Sequence, residues 1–402
     1  MAAEYKQIYK GRDLRVPAFD VKIRGKDIPA VSTHDIMAVR YSDSVDKIDS
    51  FELTVNNWDA GKHDFKYTGP GRSSGEPSTQ FDPGSSIELW MGYYAPTAAE
   101  HRDTRKSDPL QLMLAGVITS IAPAFPAAGQ PTLKVSGQNV LRKLMVEQKT
   151  RTFENMTDSE IAKDIGAKGN WKIGGLDVKV RTDASPEPAE AKLDHVFQNN
   201  QYDIVFLLQR AYTIGYDLVL QQEGKGSDTK LFLYFGRSKA EPRQKYLLEW
   251  GRSLIQFDPT ISTTRQVKKV TVRYWNGVKK KMEQVVADRA KLPTKGLSDD
   301  QALKRFEQSF LDSQDVICEQ PFRDKQAAQK YADAVMADIA KGFVTAKGST
   351  FGTPGLRAGS TVQVDGLGSI FSGHYYVTAT THSIGAAGYV TEFECRREES
   401  NA

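Results

Sequence analysis

The sequence predicts a mainly β protein with an α+β part: two similar β modules at the ends of the chain and an α+β module between them. Three observations lead there. Strand-like alternation dominates both ends. A helical period takes over in the middle and once more near residue 330. Short motifs of the first end recur, in the same order, in the second.

In the first module, AFDVKIRG (18–25) puts Phe19, Val21 and Ile23 on one face. SFELTVNN (50–57) repeats this with Phe51, Leu53 and Val55, and SSIELWMGYY (85–94) with Ile87, Leu89, Met91 and Tyr93. Successive strand side chains alternate faces, so each segment reads as a half-buried strand. The polar stretches 66–84 and 96–109 read as surface loops. Residues 111–133 carry no charge and are long enough to span a bilayer. Pro123, Pro126 and Pro131 break a helix there, and LMLAGVITSI favours a strand, so a buried β-hairpin is predicted.

The middle changes period. GQNVLRKLMVEQ (137–148) fits a short helix with Val140, Leu141, Leu144 and Met145 inward. TDSEIAKDIG (157–166) opens with a capping box, Thr157 and Glu160, and stops at Gly166. DASPEPAE (183–190) reads as a linker. A helix over 200–215 is capped by Asn200 and ended by Gly215, and strands 216–222 and 229–235 form a hairpin.

Strand character returns over 266–286, where Asn276-Gly277 signals a two-residue turn. That turn sets Arg273 opposite Lys280, Tyr274 opposite Lys279 and Trp275 opposite Val278. Residues 323–342 form an amphipathic helix with Ala328, Tyr331, Val335 and Ile339 inward and Gly342 as its stop. Residues 371–397 form a last hairpin around GAAG (385–388). Tyr375, Val377, Ala379, Tyr389, Phe393 and Cys395 make its apolar face. His374, Thr378, Thr380, His382, Glu392, Glu394 and Arg396 make its polar one. The two histidines stand roughly 26 Å apart along the strand and cannot share a metal. The expected modules are therefore 1–136, 137–262 and 263–402.

The two ends echo each other. GSSIEL (84–89) matches GSTVQV (359–364), and TSIAPAFPAAGQPT (119–132) matches TATTHSIGAAGYVT (378–391). In the second pair Phe125 coincides with Ile384. This reads as an internal duplication.

Composition narrows the function. The chain has 402 residues, 39% hydrophobic and 26% charged, with a net charge of +4. That is ordinary globular composition, and the charge is too small to predict nucleic-acid binding. Cys318 and Cys395 match no metal spacing and read as free thiols in a reducing compartment; no leader is read at MAAEYKQIYKGRD. GPGRSSG (69–75) and GFVTAKGST (342–350) lack phosphate-loop spacing, and no serine sits in a nucleophile elbow. His34 and His195 read as solvated or capping residues. No catalytic, metal or cofactor site is predicted. Trp58 and Trp90 raise a carbohydrate-binding reading, though Trp90 fits a β layer better. The basic hairpin is the candidate contact: Arg273, Lys279, Lys280 and Lys281 read either as a solvated edge or as a surface for an acidic partner or cargo.

At SFELTVNNWD, FDPGSSIELWMGYY, LAGVITSIAPAFPAAGQPTLKVSGQNVLRKL, RTFENMTDSEIAKDIG and FSGHYYVTATTHSIGAAGYVTEFECRR the chain resembles the phage late control D family, the hubs of contractile tails and injection systems. It is similar also to the hub portion of VgrG spike proteins. The resemblance implies two tail-tube-like β-barrel modules per chain and a homotrimer offering six tube-like units. Its partners would be a hexameric tube protein, a separate trimeric spike and other baseplate proteins. It implies no enzyme activity, no membrane insertion and no sequence-specific nucleic acid. Assembly would take place in the bacterial cytoplasm, and the product would be a virion tail or injection baseplate. The chain ends at ECRREESNA, so the piercing spike is expected on another protein. The rival reading is a tail-associated cell-wall or glycan hydrolase.

Overall fold

The computed structural model describes residues 6–7, 16–69, 80–93, 110–168, 172–173, 176–183, 190–223, 230–237, 245–277, 279–289, 313–318, 322 and 324–397. The loop expected at 96–109 lies outside them, as do most of that at 66–84 and most of the linker at 183–190. Besides two-residue strands, six longer strands make the first module: β1 (Pro17–Ile23), β2 (Ile36–Ser44), β3 (Ser50–Asn56), β4 (Ser86–Tyr93), β5 (Leu110–Ala124) and β6 (Thr132–Asn139). Their spatial order is β1-β4-β5-β6-β3-β2, antiparallel throughout. Val21 of β1, Val39 and Tyr41 of β2, Leu53 of β3, Leu89 of β4, Ile118 of β5 and Val135 of β6 meet in one core. The outermost strands fill the same core as the central ones, so the sheet curls on itself into a barrel.

The α+β part follows: β7 (Gln148–Met156), α1 (Asp158–Lys168), β8 (Leu176–Thr182), β9 (Leu193–Tyr202), α2 (Asp203–Ile214), β10 (Asp217–Glu223) and β11 (Lys230–Gly236). The capping box forms as read: the Thr157 amide donates to Glu160 at 2.8 Å, and the Glu160 amide to the Thr157 hydroxyl at 3.1 Å. The helix runs two residues beyond Gly166. Gly215 stops α2 at φ 73°. Three details differ from the sequence reading. Residues Val140–Met145 form a 3-10 turn with Met145 exposed. Asn200 belongs to β9, and Tyr202 holds the N-cap position of α2. His195 also lies on β9, exposed.

The second six-stranded unit comprises β12 (Lys245–Glu249), β13 (Leu254–Ile261), β17 (Val344–Phe351), β18 (Thr361–Asp365), β19 (Gly373–Gly385) and β20 (Gly388–Arg397). Strands β12 and β13 fall in the stretch read as the middle module, yet they pair with β18 and β17. Between β13 and β17 lies an inserted unit with its own core. It contains β14 (Lys269–Asn276), β15 (Lys281–Asp288), β16 (Gln314–Ile317) and α3 (Lys325–Lys341). Helix α3 is capped by Asp324, which accepts from the Ala327 amide at 2.8 Å. It covers one face of the sheet β15-β14-β16.

The spatial order of the second unit is β12-β18-β19-β20-β17-β13. Ranked by position in the chain, both units read first-fourth-fifth-sixth-third-second. Their local details agree as well. Gly84 and Gly359 take φ of 90° and 82°, a region that favours glycine. The Gly84 amide donates to the Ile118 carbonyl and the Ile118 amide to that of Ser85; Gly359, Val377 and Ser360 repeat the pair. Thr119 and Thr378 are both the extra residue of a β-bulge. Their hydroxyls donate to the facing carbonyls of Ser136 and Glu394 at 3.3 and 3.2 Å. One orientation differs: β1 runs antiparallel to β4, whereas β12 runs parallel to β18.

The bulge also corrects the reading of the last hairpin. It shifts the alternation by one residue. Tyr375 and Val377 point inward before it, Thr380 and His382 are buried after it, and Ala379 is not. The turn itself is the two-residue Ala386-Ala387, closed by the pair Gly385–Gly388.

Candidate functional site

After the bulge, strand β19 stays paired with β20 on one edge and on the other exchanges β18 for β2 of the first barrel. Ala379 to Ile384 face Ser44 to Val39. This seam makes one continuous sheet of both units, and a buried polar cluster lies beneath it. Arg357, from the β17–β18 connection, donates from Nε to Asp43 Oδ2 at 2.6 Å and from Nη2 to the Met113 carbonyl at 3.0 Å, and also contacts the Tyr41 hydroxyl. Its guanidinium lies 4.5 Å from the centre of the Tyr41 ring. Asp43 accepts further from Thr380 and from the Ala358 amide. Tyr41 donates to Asp49 at 3.1 Å. His382 Nε2 donates to the Leu356 carbonyl at 3.0 Å, leaving Nδ1 to accept from Tyr389 or Thr391. Four of these residues, Tyr41, Asp43, Asp49 and Met113, come from the first unit and the rest from the second, so the cluster ties one to the other.

Their charges are set by burial and by each other. Burial opposes the charge on Asp43, but Arg357 holds its carboxyl below the usual range. Burial, then the nearby Asp43 charge, push Asp49 up to about 7. Burial pushes His382 down to about 3. The signs give a test. The raised Asp49 adds stability that is complete below about pH 4 and is lost as pH rises towards 7. The lowered His382 adds stability that is complete above about pH 6.5 and is lost as pH falls towards 3. Asp49→Asn should therefore flatten the fall in urea midpoint between pH 5 and 7.5. The same fall in wild type and variant would contradict this assignment.

Among the described residues, no group of three or more His, Cys, Asp or Glu side chains is placed to hold a metal. No helix of the structure is long and apolar enough to cross a membrane. Trp90 is buried in the β layer, as read.

The basic hairpin has a different register from the one expected. Arg273 faces Gln284, Tyr274 faces Glu283, Trp275 faces Met282 and Asn276 faces Lys281. The loop is longer because the Asn276 side chain closes it, accepting from the Lys279 amide at 3.0 Å, with Lys280 at φ 48°. No like charges stand opposite. Lys279 pairs with Glu283 at 2.9 Å. That bond, with those from Asn276 and Tyr274, draws the Glu283 carboxyl down to about 2. Arg273, Lys280 and Lys281 pair with no carboxylate among the described residues. The cluster at the seam had no sequence signal beyond Tyr41 and Asp43 alternating with Val39, because its members lie about 300 residues apart.

Two matching barrels in one chain, an α+β part between them and a polar seam define a duplicated β architecture. Residues 13–386 match the family model of the Alg8 N-terminal domain, and the chain belongs to that family. No curated protein matches the chain. Among solved structures, its fold is similar to that of the 43 kDa tail protein of prophage MuSo2 from Shewanella oneidensis, at TM-score 0.64 and 13% identity over 95% of this chain and 98% of that one. A tail protein from Neisseria meningitidis gives 0.63 and 15% over 95% and 97%. The E. coli c3393 protein, a component of the type VI secretion system, gives 0.57 and 13% over 95% and 77%.

Proposed function

We propose that the chain is a structural, non-catalytic hub of a contractile tail or injection baseplate. Three copies form a ring of six barrels that seats a hexameric tube above and a separate trimeric spike below. The ring lines the passage. Its barrels correspond to the two end modules, with the α+β module between them. Support comes from the shared fold of tail and type VI secretion proteins. Assembly belongs in the bacterial cytoplasm, and the product is part of a virion or injection particle.

The carrying observation is an unfinished repeat of the seam. Inside the chain, the fifth strand of the second barrel pairs with the second strand of the first. The equivalent edges, the end of β5 and the outer side of β13, carry no partner strand among the described residues. Ile384, within the seam, is 9% exposed, whereas its counterpart Phe125 is 58% exposed. Pairing β5 of one copy with β13 of the next repeats the internal contact head to tail. Such heterologous contacts form closed rings when the rotation closes. Carried over by the barrel equivalence, the pair Thr381–Ser42 becomes Ala122 facing Thr260. Pro123 then meets Pro259; neither carries an N–H, so that step is held by packing alone. Prolines on these edges also discourage stray strand addition before assembly.

Facing residues of an antiparallel pair lie within disulfide reach. The double variant Ala122→Cys with Thr260→Cys, oxidised mildly, should give covalently linked trimers on a denaturing gel. Mixing the two single variants should give linked dimers. Monomers alone would remove the proposed contact.

A further inference from the structure

We infer that the outer face of the inserted sheet β15-β14-β16 is a docking surface for an acidic protein segment anchored by apolar side chains. The inference stands apart from the hub reading, because it rests on the insert alone. Helix α3 covers only one face of this sheet, through Val270, Val272, Tyr274, Val285 and Ala287. On the other face, Trp275 and Met282 stand directly opposite each other, 55% and 57% exposed. Beside them Thr271 lies between Val286 and Val316 in one cross-strand row, with both valines exposed. Arg273 lies between the two apolar groups, opposite Gln284. Lys269 shares its face, opposite Asp288, and Lys280 and Lys281 sit at the hairpin tip.

Two properties select the partner. Trp, Met and Arg are the side chains over-represented at protein interfaces, and a Trp open to water on a flat sheet has apolar area to bury. The surrounding charge is basic on balance: Arg273, Lys280 and Lys281 have no carboxylate partner among the described residues, while Lys269 stands opposite Asp288 and Lys279 is taken by Glu283. An occupant that covers Trp275 and Met282 must therefore bring acidic groups to the rim. Nucleic acid fits less well. The face offers one aromatic ring, not a spaced series for base stacking, and its Met and Val rows have no use for phosphates.

The test is selection of a random displayed 12-residue peptide library on the purified chain, followed by titration of synthetic winners. Enriched peptides should combine Asp or Glu with Leu, Ile, Phe or Trp. Trp275→Ala and Arg273→Glu should each weaken binding by about tenfold or more. Raising salt from about 50 to about 300 mM should weaken it further. Both side chains are exposed, so neither change opens the core. Absence of enriched peptides, basic winners, or equal binding to Trp275→Ala overturns the inference. Binding of a single-stranded oligonucleotide that depends on Trp275 would do so in favour of nucleic acid.

Discussion

Replacing Arg357 by Met should loosen the seam by about 3–5 kcal/mol. The side chains of Arg357 and Asp43 are only 17% and 6% exposed. Removing the guanidinium leaves the Asp43 carboxylate buried without its counter-charge, and frees the Met113 carbonyl and Tyr41 hydroxyl of a donor. Loss of one partner from a buried pair costs far more than the pair's net worth. A chain with several cores need not unfold in one step, so the effect is best read locally. Exchange of the seam amides, Thr380 to Ser383, should speed up by about a hundredfold or more. In an Asp43→Asn background the same replacement should cost much less, since no buried charge is stranded. Equal costs in the two backgrounds would contradict the charge-pair account.

Gly352→Ala should be similarly damaging for a steric reason. A Cβ at Gly352 would lie 2.0 Å from the ring carbon Cγ of Tyr389. That ring has little room to give way. It is held at its hydroxyl by His382 at 3.0 Å, lies 5.5 Å from the Tyr93 ring, and packs into the first barrel's core from the second barrel's last strand. Overpacking of a filled site costs about 1–3 kcal/mol, while His382 keeps Thr391 as a donor to Nδ1 if the Tyr389 hydroxyl is displaced. A loss of about 1–3 kcal/mol is expected in urea denaturation. If the cause is the ring, Tyr389→Ala should absorb most of the added effect of Gly352→Ala. Full additivity of the two would show that the damage lies in the backbone instead.

The parts of this structure that were legible share one property: their signals are local. The capping box at Thr157, the stop at Gly215 and the apolar faces of β3 and β4 each need only a few neighbouring residues. The duplication was legible because Gly84 and Gly359 stand where positive φ is required, and because Thr119 and Thr378 mark the same bulge. What was hidden depends on partners far along the chain. Nothing near residues 245–261 says that they pair with strands a hundred residues later. A bulge adds one residue without any composition of its own, so the faces of Thr380 and His382 were reversed. Asn276-Gly277 carried the usual turn signal, but the asparagine side chain closed a longer loop and moved Arg273 away from Lys280. The seam cluster was invisible, since Arg357, Asp43 and His382 are ordinary residues until the barrels meet.

The most direct measurement is the native mass of the purified chain, with images along the particle axis. The account predicts a species of three chains, three times 44.7 kDa, whose axial view shows six similar lobes, with the Phe125 edge protected from exchange. A 44.7 kDa monomer at micromolar concentration and above, with that edge exchanging freely, would contradict it.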